Sequence, residues 1–437
     1  MAENKVYVLV LLKNDSKGIE RTICGLRENE EFSDFEVIVL DANSKETESE
    51  WVRNQNDLTY IFFGEDESFF SNMINESVKA LNIHNDFLIM KAGVVLEKDT
   101  LTLLNKVSTE SSQLACVSPV IKDNDDNFDY ENKIRYVLET DKDITYFQYE
   151  VFNSVKGFSS EFVSWDVAFK DYQLRVLSKG YKLAYYHQAY FDKKTESEFF
   201  DGQEIRESDG QKLEKIWGMH YFNSFPNYAL ISRMPFQRTD KFSVLEVGCD
   251  CGCNLLEIKN QFPNCHIYGM ELNESAARIA NYTVETYCGN IEENDDGFQN
   301  RKYDIIIFGD VLEHLRDPEK VLVRCKEFLT DNGYILSSIP NLQHISVLHQ
   351  LINGFFTYQE SGLLDKTHIH FFTAIEIQNM FSRAGYEIKD FAGTFMPLDD
   401  VYKDSIKKLK SVFPDINEGL MEVFQYQVCA KMANIRN

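Results

Sequence analysis

A chain of 437 residues, 43% hydrophobic and 26% charged, has the length for two or three separately cored domains of ordinary soluble composition. Its formal net charge of -25 works against binding to phosphate backbones and anionic membrane surfaces, so nucleic acid is set aside as a partner. No apolar run approaches the roughly 20 residues of a membrane span, and the nine cysteines, several in apolar stretches (Cys116, Cys265, Cys288, Cys429), read as the reduced, buried thiols of a cytoplasmic protein.

The first apolar run, Val6-Tyr7-Val8-Leu9-Val10-Leu11-Leu12, lacks the basic leader and small-residue cleavage site of a signal peptide and reads as a strand. Residues 18–26 read as a helix and Glu36-Val37-Ile38-Val39-Leu40 as a second strand, a β-α-β unit and hence a parallel sheet. The carboxyl ends of such strands face the ligand crevice, which places Asn14 and Asp41-Ala42-Asn43-Ser44 at a binding edge, with Asp41 suited to a ribose or a base edge.

From residue 193 to 240 the character changes. Thr195-Glu196-Ser197-Glu198, Asp201-Gly202 and Ser208-Asp209-Gly210 are rich in turn and charged residues, and the domain boundary is expected near residue 210, giving domains 1–210 and 211–437. Residues 212–219 read as helix. The stretches Trp217-Gly218-Met219-His220-Tyr221-Phe222 and Tyr228-Ala229-Leu230-Ile231 are too apolar for a free linker: they either lie over the second domain and close its ligand site, or simply pack between domains.

In the second half, Val244-Leu245-Glu246-Val247 reads as a buried strand running into the turn Gly248-Cys249-Asp250-Cys251-Gly252, with a helix beginning near Asn254. That is a small-molecule cradle. Cys249, Cys251 and Cys253 alternate within it, but this is poor zinc spacing, and small residues in a tight turn account for them. The next strand ends in Glu271, about 20 residues beyond Gly248, where a carboxylate takes the two ribose hydroxyls; cradle and acid alone also fit a dinucleotide-binding dehydrogenase. A third strand ends at Asn290-Ile291, a fourth runs from Tyr303 toward Asp310, and three more are read at 333–339, 386–391 and 423–431. Asp310, Glu313 and His314, spaced i, i+3, i+4 at a strand-to-helix junction, are expected on one face beside the cradle.

Over residues 5–195, Asn14, Asp41-x-x-Ser44, Asn75 within Phe70-Ser71-Asn72-Met73-Ile74-Asn75, and Val155-Lys156-Gly157-Phe158 follow the order of the family-2 glycosyltransferases of the GT-A fold, which this half resembles. Three departures stand out. Lys91-Ala92-Gly93 occupies the place of the family's acidic metal-binding motif, Ala168 and Phe169 that of its Glu-Asp pair, and Asp192-Lys193 that of its late metal-binding His. The resemblance therefore implies a degenerate glycosyltransferase. Lys91 as a fixed cation with Asp166 or Asp171 as base is the alternative that retains transfer, although Asp171 equally suits a structural role beside a neighbouring helix.

The second half resembles class I S-adenosylmethionine (SAM) methyltransferases in its loop Glu246-x-Gly248-x-x-x-Gly252, its five alternating strands with a late pair, Asp310-Val311-Leu312-Glu313-His314-Leu315-Arg316-Asp317-Pro318, and Gly362-Leu363-Leu364-Asp365-Lys366-Thr367-His368-Ile369-His370-Phe371-Phe372-Thr373. The last run is similar to methyltransferase domains fused to glycosyltransferases in bacterial surface-glycan clusters. The resemblance implies SAM as cofactor, with Glu246, Gly248, Asp250, Gly252, Glu271, Asn290, Ile291 and Asp310 around it. Asp250 stands where the family has a glycine, and either meets the SAM amino group or bonds within the turn. Deprotonating a sugar hydroxyl needs a base near pH 7, with His314 first and His368 and His370 as other candidates. Asp310, Glu313 and His314 also resemble the metal-binding E-x-x-E-H of ubiquinone-pathway O-methyltransferases; a divalent ion is compatible with them, but no metal belongs to the expected site. Phe355-Phe356-Thr357-Tyr358 and Phe371-Phe372 read as a sugar platform or an apolar lid.

The expectation is an α/β protein: a GT-A-like mixed domain, then a Rossmann-like seven-stranded methyltransferase domain. It would methylate a sugar or glycan, free or carried on a glycosylated protein, with the first domain binding substrate. A bifunctional enzyme with an active nucleotide-sugar transferase is the alternative.

Overall fold

The computed structural model describes residues 5–30, 35–65, 69–122, 133–193, 203–219, 223–293 and 301–433. The expected turn-rich join at 195–198 and 201–202 and part of the apolar stretch, 220–222, lie outside them. The chain forms two compact units, Met1–Ser224 and Phe225–Asn437.

The first unit runs β1 (Val6–Leu12), α1 (Ser16–Asn29), β2 (Phe35–Ala42), α2 (Glu46–Arg53), β3 (Thr59–Phe63), α3 (Phe70–Ala80), β4 (Phe87–Lys91), β5 (Val94–Leu96), α4 (Thr100–Glu110), β6 (Leu114–Ile121), β7 (Ile134–Val137), β8 (Ile144–Phe147), α5 (Tyr149–Ser154), α6 (Trp165–Ser178), β9 (Lys182–Lys193) and α7 (Gln203–Trp217). Its mixed sheet has the order β3-β2-β1-β4-β8-β6-β9-β5, with β7 beside β9. The β-α-β start is as read: β1 lies parallel between β2 and β4, and every residue of it except Tyr7 is buried, as a strand covered on both faces requires.

The expected binding edge is consumed internally. Asp41 is fully buried, one carboxylate oxygen accepting from the Ser44 amide at 2.8 Å and the other from the Tyr60 hydroxyl, so it has no exposed face for a ribose. Asn14 bridges the same turn, accepting from the Lys45 amide at 2.9 Å. Lys91 is not a free cation: it pairs at 2.7 Å with the buried Asp143, which Lys193 also meets. Ala168 and Phe169 are buried, and Phe169 packs its ring against Phe147, Phe158 and Trp165. Asp166 pairs with Lys142 at 2.7 Å. Asp171 accepts from Arg175 at 2.8 Å and from the Trp217 indole on α7 at 3.0 Å, the structural one of its two readings.

These contacts also move the boundary. Helix α7 passes through residue 210 and is tied to α6 from its middle and from its last residue. Trp217 meets Asp171, and the buried Asp209 accepts from the Val163 and Ser164 amides, each at 2.7 Å. Asp209 thus caps α6 from outside, because Ser164 at the cap position makes no side-chain cap bond. The division therefore falls after Ser224.

The second unit runs α8 (Tyr228–Ile231), β10 (Ser243–Val247), α9 (Cys253–Gln261), β11 (His266–Glu271), α10 (Glu274–Ala280), β12 (Glu285–Cys288), β13 (Tyr303–Gly309), a 3-10 turn (Leu312–His314), α11 (Pro318–Cys325), β14 (Leu329–Pro340), α12 (Ile345–Ile352), α13 (Ala374–Arg383), β15 (Tyr386–Phe395), α14 (Asp400–Val412), α15 (Gly419–Glu422) and β16 (Val423–Met432). The seven strands take the order β12-β11-β10-β13-β14-β16-β15, with β16 antiparallel to both its neighbours. Alternation builds two cores on the central strands: Leu245, Val247, Ile306 and Phe308 face one layer, and Val244, Ile305 and Ile307 the other. Sequential strands depart to opposite sides of β10, which opens a crevice at the carboxyl ends of β10 and β13. Of the cysteines read as buried, Cys116, Cys265 and Cys429 are, but Cys288 is exposed because it ends the edge strand β12.

Replacing Asp209 with Ala is expected to cost the first unit about 2 kcal/mol, since two amides at a helix start lose a buried carboxylate; Asn, which keeps an acceptor, should cost less. Trp51, Trp165 and Trp217, the three tryptophans of the chain, all lie in this unit, so urea unfolding followed by tryptophan fluorescence reports it directly.

Candidate active site

Five consecutive residues make the turn after β10, and three of them, Gly248 (φ +70°), Asp250 (φ +48°) and Gly252 (φ +88°), are in the left-handed region. A Cβ on Gly248 would lie 2.5 Å from a Val311 methyl, so glycine is required there by space as well as by conformation. The turn is fastened to the next strand: the Gly248 amide donates to the Met270 carbonyl at 2.8 Å, and the Asp250 amide to a Glu271 carboxylate oxygen at 2.9 Å. The other Glu271 oxygen accepts from the Asn273 amide at 2.8 Å. Each of these oxygens keeps a second lone pair for a ligand hydroxyl.

Glu246 lies beneath the turn, 1% exposed. One oxygen accepts from Asn254 at 2.7 Å and the other has no hydrogen-bond partner among the described residues. Burial, reinforced by Asp250 and Glu271, pushes its carboxyl up to about 8 against the relief given by Asn254. Asn254 in turn accepts from the Asn227 amide at 2.7 Å, and Cys253 donates toward the Phe225 carbonyl, so the chain at 225–231 is laid against the turn. The Cys249 thiol points instead to the Asp250 carbonyl, and burial raises all three loop thiols. Asn290 forms its own turn, accepting from the Glu292 amide at 3.0 Å, and Ile291 is buried beside it with its carbonyl held by Arg324. A strained turn with no room for a Cβ at Gly248, an acid with spare lone pairs at the adjacent strand end and a buried carboxylate oxygen left unpartnered among the described residues together fit an adenosyl ligand bearing positive charge.

Beyond β13 the chain turns at Asp310 (φ +56°) into the short 3-10 turn. This separates residues expected on one helical face. The Asp310 carboxylate turns back to the Ser338 hydroxyl at 3.1 Å and to the Gln425 amide, and burial raises its pKa. His368, from the loop after α12, takes the third place beside Glu313 and His314. The His314 and His368 rings are 4.8 Å apart, and His368 Nε2 lies 4.0 Å from Glu313. Among the described residues both Glu313 carboxylate oxygens are buried without hydrogen-bond partners. Burial, with Asp310 nearby, drives the Glu313 carboxyl well up, and burial, then His314, holds the His368 imidazole below its ordinary range.

His314 Nδ1 lies 3.2 Å from the Thr367 carbonyl, which only accepts, so Nδ1 carries the proton and Nε2 presents a lone pair. His370 differs from the other two. Its Nε2 donates to the Arg316 carbonyl at 3.2 Å, and its backbone amide, like that of Ile369, donates to the Glu313 carbonyl, so this residue pins the loop. Sequence reasoning passed over Thr367, Asn254, Ser338 and Gln425. The last was detectable, since Gln425 and Gln427 put two amides on one face of an otherwise apolar closing strand.

Residues 219–390 match the family model described as a methyltransferase domain. Among curated proteins, the ubiquinone biosynthesis O-methyltransferase of Marinobacter nauticus is 28% identical over 171 residues, covering 36% of this chain and 70% of that protein. The protein of the same name from a Shewanella species (strain ANA-3) is 23% identical over 167 residues, covering 37% and 70%. Among solved structures, a putative methyltransferase from Bacillus halodurans superimposes with a TM-score of 0.33 at 12% identity, covering 47% of this chain and 98% of that one. The second unit is a SAM-dependent methyltransferase domain, and the residues of its turn fit that cofactor.

Gly248→Ala should destabilise the second unit by about 2–4 kcal/mol, from left-handed strain and overpacking against Val311. In Gly248→Ala combined with Val311→Ala the overlap disappears and only the strain remains. A double-mutant cycle in thermal unfolding should give a favourable coupling of about 1 kcal/mol or more; additive effects would show that the turn adjusts without Val311.

Proposed function

We propose that this SAM-dependent methyltransferase acts on a sugar hydroxyl of a bacterial surface glycan or glycoprotein, and that the first unit is a glycosyltransferase-like module that binds the substrate without transferring sugar. The observation that carries the reading is a ladder of rings ending at the candidate base. Tyr358 and Phe356 are 5.5 Å apart, Phe356 and Phe371 5.7 Å, Phe371 and His368 6.0 Å, and His368 and His314 4.8 Å. Tyr358 and Phe356 are 54% and 40% exposed, enough to take the apolar face of a pyranose and to align one hydroxyl with His314. The named relatives are O-methyltransferases, which supports oxygen as the acceptor.

When bound, the cofactor supplies an electrophilic methyl group on a sulfonium. The backbone at Gly248 and Gly252 would lie against its methionine end, Glu271 would take the ribose hydroxyls, Asn290 and Ile291 would hold the adenine edge, and Asp310, braced by Ser338 and Gln425, would border the methyl-bearing end. His314 Nε2 takes the proton of the acceptor hydroxyl as the new bond forms, while Thr367 fixes the ring on the other side. His368 stays neutral beside it. In the first unit, the Lys91–Asp143 pair and the buried Ala168 and Phe169 favour binding over transfer. The bifunctional alternative predicts instead that nucleotide sugars with Mn²⁺ are turned over.

A second reading is favoured by one observation: Glu313, His314 and His368 have ligand atoms within 4.8 Å of one another, and the Glu313 oxygens are unpartnered. A divalent ion held there would lower the pKa of the acceptor hydroxyl and make His314 a ligand in place of a base.

His314→Asn should lower kcat by roughly 10²- to 10⁴-fold with SAM affinity kept, because the loss falls on proton transfer. Mass spectrometry of surface glycans and glycoproteins from a deletion strain should show one sugar lighter by a methylene, and an unchanged profile overturns the substrate assignment. EDTA treatment separates the two readings: activity that survives it leaves His314 as base, and activity lost and restored by Mg²⁺ establishes the ion.

A further inference from the structure

We propose that Glu246 is a neutral carboxylic acid in the cofactor-free protein and loses its proton when SAM binds, so that cofactor binding releases a proton to solvent. The argument begins with position. Glu246 is the fourth residue of β10, flanked across the sheet by Gly269 and Ile307, at the crevice where strand order reverses. Its side chain lies between the turn and the first turn of α9: Oε1 is occupied by Asn254, and Oε2, fully buried, has no hydrogen-bond partner among the described residues. An ionised carboxylate with a bare buried oxygen is costly, whereas a protonated one is tolerated.

Among the described residues the surroundings supply no counter-charge. The charged groups that act on Glu246 are Asp250 from the turn and Glu271 from β11, both acidic. Cys249 from the turn and Cys253 from α9 are thiols that burial keeps protonated. From β13 and α8 the neighbours are Gly309 and Leu230, since a Cβ on Gly309 would meet a Leu230 methyl at 3.5 Å, Glu246 Oε1 at 3.6 Å and Asn254 at 3.7 Å. Burial among these groups holds the carboxyl near 8, so at neutral pH the acid form prevails in the empty protein.

SAM brings a sulfonium and an α-ammonium against a single carboxylate, a net positive charge. A cation a few ångströms from a carboxyl lowers its pKa by roughly 1 to 3 pH units. The Oε2–H bond breaks, its electron pair stays on the carboxylate, the proton passes to buffer, and the ligand's positive charge takes the proton's place. The sign follows: between the lowered value in the complex and about pH 8 the empty protein carries the proton and the complex does not, so affinity rises with pH across that window and is level on either side. Full coupling means a tenfold change in Kd per pH unit, about one proton per cofactor.

The test is isothermal titration of the full-length protein with SAM at pH 7 in two buffers of very different ionisation enthalpy. The expected result is an apparent enthalpy that differs between buffers by the release of about one proton, and a Kd that tightens from pH 6 to pH 8. In Glu246→Gln both dependences should vanish. Identical enthalpies in the two buffers for the wild type overturn the proposal, and so does proton release that persists in Glu246→Gln. The wild type alone gives an independent check if that variant does not fold. Infrared difference spectra should show a protonated carboxyl carbonyl band lost on adding SAM, and no such loss overturns the proposal.

Discussion

The constraint on which the second unit depends is the left-handed backbone at the ends of two adjacent parallel strands. Gly248, Asp250 and Gly252 after β10 and Asp310 after β13 all carry positive φ, and between them they reverse the chain within a few residues. Without these reversals the strands would run on past the crevice and no amide or carboxylate would face it. Two of the four are not glycine. Asp is among the side chains that tolerate this region best, because its short polar chain can bond locally. Asp310 bonds instead across the sheet, to Ser338 on β14 and Gln425 on β16. The strain is thus held by hydrogen bonds from β14 and β16, which lie late in the chain, and the transfer side of the crevice forms only when the sheet is complete.

The first unit shows the opposite arrangement. Its strand ends are equally well placed, yet the groups there satisfy one another: Asp41 with Ser44 and Tyr60, Asn14 with Lys45, Lys91 and Lys193 with Asp143. The positions where catalytic acids were sought hold Ala168 and Phe169 inside an aromatic cluster, and Asp209 closes the start of the same helix. A surface whose polar groups are paired internally is suited to recognition by shape and is poorly suited to polarising a diphosphate.

Legibility in the sequence followed the range of the determining contact. Seven strands were readable because strand periodicity and glycine turns are local signals, whereas their order in the sheet, set by pairing between distant strands, came only with the fold. The cradle was readable for the same reason. The helical face expected for Asp310, Glu313 and His314 was not obtained, because the segment is a three-residue 3-10 turn preceded by a left-handed residue, and i, i+4 reasoning needs a continuous helix. His368 replaces Asp310 by a loop contact spanning more than fifty residues, which no spacing rule conveys. The boundary expected near 210 differs from the division of the two compact units after Ser224: charge and glycine in the sequence suggest a turn, but residue 210 lies within α7 and Asp209 is buried against amides at the start of α6.

Glu246 and Glu313 extend this to energetics. A fold gains little by burying a carboxyl with unpartnered oxygens, since an apolar side chain of similar size in either place would remove a desolvation cost and keep the packing. Each is nevertheless fixed by structure around it: Asn254 grips one oxygen of Glu246, and the Glu313 carbonyl anchors the amides of Ile369 and His370, which bring His368 alongside. The two acids lie at the ends of adjacent strands, one on β10 and the other in the turn after β13. On the proposed function, the unpartnered oxygen of Glu246 would face the charge that arrives with the cofactor, and those of Glu313 would face His314 and His368. On this view the stability of the empty unit is deliberately below what its two cores would allow, and the deficit is recovered when ligands complete the electrostatics.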